Sequence, residues 1–116
     1  MEVDSCPQPP EGKEAWFDTC KYLPLGNGVK PGRALKISDP EYSEYARKKN
    51  IKGEIQLAVA INAEGTVDAV KVLTPLEQGL DKNAQDAVKQ WRFTPATMAG
   101  KAVAVQIPVS VTFDLY

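Results

Sequence analysis

Two carboxylate pairs, Glu41 with Glu44 and Asp81 with Asp86, are of a type that could carry acid–base chemistry. Such catalysis needs both groups facing one pocket with matched proton affinities. Here they read as exposed helix positions with no pocket signal around them. Histidine is absent, which removes Ser-His-Asp and Cys-His mechanisms and every histidine-based zinc site. The two cysteines, Cys6 and Cys20, cannot supply a zinc tetrad alone. Fourteen Lys plus Arg against fifteen Asp plus Glu give a net charge of −1, a poor balance for binding nucleic acid through its phosphates. The sequence therefore predicts no catalytic residue, no metal, no cofactor and no nucleic-acid partner. It reads as a binding module, not an enzyme.

The remaining residues of interest are aromatic or basic. Trp91 and Phe93 could form a ligand platform, but Trp91 also completes an apolar helical stripe and reads first as an anchor of helix to sheet. If it is buried, Trp91→Ala is expected to cost roughly 3–5 kcal/mol. Arg92 falls on another face, where a partner contact, an internal ion pair and a solvated position all stay open. Tyr42 and Tyr45, three residues apart, read as packing groups, with a partner contact the alternative for Tyr42. The cluster Arg47-Lys48-Lys49 with Lys52 suits a solvated helix end favoured by the helix dipole, with a membrane or peptidoglycan role as the alternative.

The elements that must position these residues divide the chain in two. With 116 residues, 43% hydrophobic and 25% charged, one domain with an appended segment is expected. Residues 1–36 hold five of the nine prolines and show no sustained period. They read as an irregular arm packing partly on the domain, residues 37–116. No apolar run approaches the roughly 20 residues that span a bilayer. Met-Glu-Val-Asp-Ser-Cys lacks the pattern of a signal peptide, as expected of a mature or excised fragment.

Asp39-Pro40-Glu41 reads as a helix start, with Asp39 as cap and about three turns to follow, closed by Asn50 or Gly53. Ile55, Leu57, Val59 and Ile61 alternate as a half-buried strand, and Ala63-Glu64-Gly65 turns it into a return strand over 66–73. Val67 and Val70 differ in parity, which a bulge between them would reconcile. Leu80, Ala84, Ala87, Val88 and Trp91 form one helical stripe, capped by Asp81 or the loop before it. Met98 to Lys101 reads as a loop. Val103, Val105, Ile107, Val109, Val111, Phe113 and Leu115 then alternate with Ala104, Gln106, Pro108, Ser110, Thr112 and Asp114. The order helix-strand-strand-helix-strand predicts an α+β two-layer sandwich: a three-stranded sheet, two helices on one face, and the other face relatively bare.

Pro108 has no N–H, so the last strand reads as an edge strand with its even-numbered main-chain groups turned outward. The peptide-binding edge is then expected along residues 102–112, at Val103, Ala104, Val105, Gln106, Ser110 and Thr112, with the outward groups of Ala104, Gln106, Ser110 and Thr112 receiving an incoming strand. In that case side-chain changes at Gln106 should alter affinity for the peptide only modestly.

Over roughly residues 29–115 the chain resembles the C-terminal domain of the TonB family. The likeness rests on Pro40-Glu41-Tyr42 with Ala46-Arg47, Ile51-Lys52-Gly53-Glu54-Ile55, Gly79-Leu80-Asp81, Trp91-Arg92-Phe93-Thr94-Pro95-Ala96 and the closing Ile107-Pro108-Val109. Ser43 stands where the family usually has proline after the tyrosine, and residues 1–28 lie outside the pattern. The resemblance implies a periplasmic domain that grips the TonB box of an outer-membrane transporter. It would couple the transporter to proton-driven inner-membrane motor proteins through a region upstream of this chain. A homodimer is a further expectation left open. Rival roles are an envelope sensor or scaffold and the non-catalytic appendage of a membrane peptidase. In an oxidising periplasm Cys6 and Cys20 are expected to pair, closing a loop of about 15 residues worth on the order of 3 kcal/mol.

Overall fold

The centre of the molecule is strand β4 (Gly53–Ile61), which alternates apolar side chains along one face. The structure, a computed structural model, describes residues 15–26 and 28–113. On one side β4 pairs antiparallel with β9 (Val105–Phe113) in unbroken register from Gly53↔Phe113 to Ile61↔Val105. On the other it pairs with β5 (Val67–Thr74) through a hairpin in which Asn62 Oδ1 accepts the Glu64 and Thr66 N–H groups, both at 3.0 Å. The register slips between Ala60↔Ala69 and Ile61↔Val67. This is the bulge that lets Val67, Val70 and Val72 share the core face.

Two helices cover that face. From α2 (Gln78–Lys89) come Leu80, Ala84 and Val88, and from α1 (Glu44–Lys48) comes Ala46, all fully buried against Ile55, Leu57 and Val59. Helix α1 begins later and is shorter than Asp39-Pro40 suggested. Ser43 is its cap, accepting the Ala46 N–H at 3.1 Å. Ahead of it Tyr42 turns inward, edge-on to Phe113 and donating to the Ile51 carbonyl, so the chain there stays extended. Asn50 ends the helix at φ 56, with Ile51 N–H on the Ala46 carbonyl and Asn50 N–H on that of Arg47. This is the paired bonding of a Schellman cap.

Glu77, not Asp81, caps α2: its carboxylate accepts the N–H groups of Gly79 and Leu80, each at 3.0 Å. Ser43 Oγ donates to the same carboxylate at 3.1 Å, tying the two helix starts together. The Gly79 N–H, above all, holds the Glu77 carboxyl below its usual range. A lowered acid stabilises the fold above its unfolded pKa, and that contribution is lost as pH falls through the folded value. The urea midpoint is therefore expected to fall between pH 7 and pH 3 by less in Glu77→Gln than in the parent chain. An equal fall would show that the cap is not charge-assisted.

The three-stranded sheet anticipated from periodicity is instead four-stranded, because β1 (Leu23–Pro24) lies parallel beside β9 in the order β1-β9-β4-β5. Five further short strands were invisible as periods: β2 (Val29–Lys30), β3 (Ala34–Lys36), β6 (Arg92–Phe93), β7 (Ala96–Met98) and β8 (Lys101–Val103). Strand β7 pairs with both β2 and β8, while β3 pairs with β6. The expected loop after Met98 is a tight hairpin turn, with Ala99 and Gly100 at φ 53 and 81, the doubly positive type that suits twisted strands. Residues assigned to the arm thus supply β1, β2 and β3. They also cover the sheet face expected to be bare, where Ala58, Ala60 and Gln106 are buried.

Candidate functional site

In the outer edge of β9, Leu23 N–H donates to the Ala104 carbonyl at 2.9 Å. This places the main-chain oxygen of Ala104 on the side away from β4, as the alternation of an antiparallel strand requires. That edge is not uniformly open. Val103 closes β8 and pairs with Ala96. Val105 and Gln106 are matched to Leu23 and Pro24 of β1. The expectation that Ala104 and Gln106 present free main-chain groups is therefore corrected: the arm already occupies that position. Pro24 in turn lacks an N–H, which blunts the new outer strand.

The Gln106 side chain also has a structural role that the sequence did not indicate. It is 1% exposed, and its amide makes four hydrogen bonds to the arm's main chain. Oε1 accepts from Trp16 N–H at 2.7 Å and Phe17 N–H at 3.0 Å. Nε2 donates to the carbonyls of Phe17 at 2.9 Å and Tyr22 at 2.8 Å. A buried amide needs partners for both its oxygen and its NH2 group, and the folded-back main chain supplies two donors and two acceptors together.

Beyond Pro108 the picture changes. Ser110 and Thr112 are exposed, and among the described residues no strand pairs with β9 on their outer side. The opposite edge of the sheet, β5, has its register broken twice, between Gln56/Leu57 and Ala60/Ile61. Such irregularity discourages an added strand, whereas β9 keeps an unbroken register with β4.

Other sequence candidates fall at varying distances from this edge. Tyr42 braces it from the core side through Phe113. Arg92 is exposed in β6, its guanidinium donating to the Trp91 carbonyl at 2.9 Å, away from the edge. Trp91 lies just past the cap of α2, half-buried, its indole N–H on the Ser38 carbonyl at 2.9 Å and its ring tilted against Phe93. It ties the segment before α1 to the end of α2, and half-burial puts its truncation below the range of a fully buried aromatic. Phe93 donates its N–H to the Gly65 carbonyl at 2.9 Å. Cys6 and Leu115 lie outside the described residues; no described cysteine is free.

Tyr22 is a neighbour of this edge that the sequence did not single out. It is 7% exposed and its hydroxyl donates to Asp68 Oδ2 at 2.7 Å, while Asn62 holds Oδ1 of the same carboxylate at 2.9 Å. That hydrogen bond, then burial and the Asp68 charge, raises the phenol above its usual pKa near 10. The contribution is complete below that value and lost as pH rises through the higher folded one.

Comparison with known proteins agrees with this architecture. The family model of the Gram-negative bacterial TonB protein C-terminal region matches residues 38–115. Protein TonB of Vibrio cholerae is 31% identical over 87 residues, covering 74% of this chain, and that of Xanthomonas campestris is 32% identical over 80 residues, covering 68%. The chain spans 36% of the length of each of these relatives. The solution NMR structure of the TonB C-terminal domain of Pseudomonas aeruginosa is similar at a TM-score of 0.59 and 28% identity, over 79% of this chain and 92% of that one. A matched family model over most of the chain, on a four-stranded sheet backed by two helices, leads to one assignment: this chain belongs to the TonB C-terminal family.

Proposed function

We propose that this domain works in the periplasm, gripping an extended peptide, the TonB box of an outer-membrane transporter, by adding it as a strand to β9. The observation that carries the reading is the open outer side of β9 at Ser110 and Thr112. Strand addition draws affinity from main-chain hydrogen bonds, and an exposed stretch of a well-registered strand offers them without reorganising the core. Behind it, β4 and the buried Val111 and Phe113 make a stiff support through which a pull can be passed on. The force itself would come from proton-driven inner-membrane motor proteins, acting through a region outside this chain. No described helix is long and apolar enough to cross a membrane. The Cys6–Cys20 disulfide belongs to the same proposal, as a closure of the arm suited to an oxidising compartment.

The test is a titration of the isotopically labelled chain with a TonB-box peptide, followed by main-chain amide shifts. Shifts are expected at Ser110 and Thr112. Ser110→Pro, which removes an outward N–H at an edge position where proline is tolerated, should weaken binding about tenfold with the urea midpoint little changed. Shifts confined to β5 would place the site on the opposite edge.

A further inference from the structure

Without movement of the arm, the open part of β9 offers only Ser110 and Thr112 as outward residues beyond Pro108. The stretch that would double this row, Ala104 and Gln106, is covered by residues 16–24. What covers it already has the form of a ligand: an extended pair, Leu23–Pro24, laid parallel along the strand and bonded through the Leu23 N–H. All four partners of the Gln106 amide are main-chain groups, not arm side chains. Water can take over such bonds once the arm has left, without leaving a buried group unpaired.

We propose that the arm is a displaceable internal strand that closes the Ala104–Gln106 half of the binding edge, and that an incoming peptide gains this half by pushing the arm off, the Gln106 amide then passing to water. The proposal rests on the reading that β9 takes a peptide strand. The arm is suited to release. Its pairing with β9 is two residues long, whereas the β4–β9 ladder behind it runs over nine pairs. Residues 18–22 form a self-contained turn, with Tyr22 N–H on the Asp18 carbonyl at 2.8 Å and Cys20 N–H on Asp18 Oδ1 at 2.8 Å. The turn therefore keeps its own bonds when it leaves the sheet. Its side-chain pin is the Tyr22–Asp68 hydrogen bond at 2.7 Å, reaching across to β5. Strand β2, held by β7, marks where release stops. Closure lowers the apparent affinity by the fraction of molecules with the arm off, so loosening the pin raises affinity until the open state dominates.

The experiment uses the whole chain, Tyr22→Phe, and Asp68→Asn as a second variant that removes the charge from the other end of the same bond. Hydrogen exchange at the Leu23 amide and amide shifts along β9 are followed during titration with a TonB-box peptide. Peptide should speed exchange at Leu23 while perturbing Ala104 to Thr112. Tyr22→Phe should bind about fivefold more tightly, the worth of one net hydrogen bond, and Asp68→Asn, which leaves a neutral acceptor, by a smaller factor in the same direction. If Ser110 and Thr112 shift while Leu23 stays protected and neither variant binds more tightly, the arm is a fixed part of the sheet. The proposal then falls and the binding reading stands. Silence along β9 in all three proteins would overturn both.

Discussion

Gly65→Ala is expected to lower the folding stability by about 3–4 kcal/mol, combining backbone strain with overpacking. Gly65 sits at φ 91 in the β4–β5 hairpin, and a methyl group there would stand 1.9 Å from the Phe93 carbonyl oxygen. The obstacle is main chain on both sides, so no side chain can swing away. Relief would require the loop to part from β6, breaking the 2.9 Å bond from Phe93 N–H to the Gly65 carbonyl. Gly100→Ala is the control: its φ of 81 carries the strain, yet nothing lies within 4 Å of the added carbon. That variant should lose only about 1 kcal/mol. Urea denaturation of the pair separates clash from conformational strain. Similar losses in both would mean that the loop is not seated against β6.

Gln106→Leu should cost about 3 kcal/mol, although it exchanges a polar residue in a strand for an apolar one of similar size. If the arm stayed in place, two N–H and two carbonyl groups of Trp16, Phe17 and Tyr22 would lose their partner. At about 1–3 kcal/mol for each buried unsatisfied group the sum exceeds any plausible hold of the arm. The arm would instead lift and hydrate, which caps the loss at the worth of its attachment. Ser110→Leu, on the same face of the same strand but exposed, should leave stability within about 0.5 kcal/mol. The measurement is the urea midpoint together with emission from Trp16, half-buried in the folded chain and expected to shift to the red on release. A loss below about 1 kcal/mol with unchanged emission would show that the amide does not hold the arm.

The central elements were legible in the residues because their signals are local. The alternation of Ile55 to Ile61 and of Val105 to Phe113 follows from the pleat, and the Leu80, Ala84, Val88 stripe from the turn of a helix. The β5 bulge could be anticipated from a break in parity between Val67 and Val70. The short strands could not, since two or three residues carry no period. Strands β1, β2 and β3 exist only because distant partners hold them: Leu23 on Ala104, Val29 beside Met98, Ala34 beside Phe93.

The outer edge of β9 shows the same division at closer range. By itself the sequence determined that the last strand alternates and that Pro108 leaves a gap in its outward row of N–H groups, since both are properties of covalent geometry. It also marked Ser110 and Thr112 as outward-facing polar positions. Only the tertiary structure decided what lies against the rest of that edge. Gln106 has the same local pattern as Ser110, a polar residue between two β-branched apolar ones, yet one is sealed under the arm and the other faces solvent. The difference comes from main-chain groups 84 to 90 residues away. No local pattern encodes which hydrogen-bond partners a chain brings back across that distance.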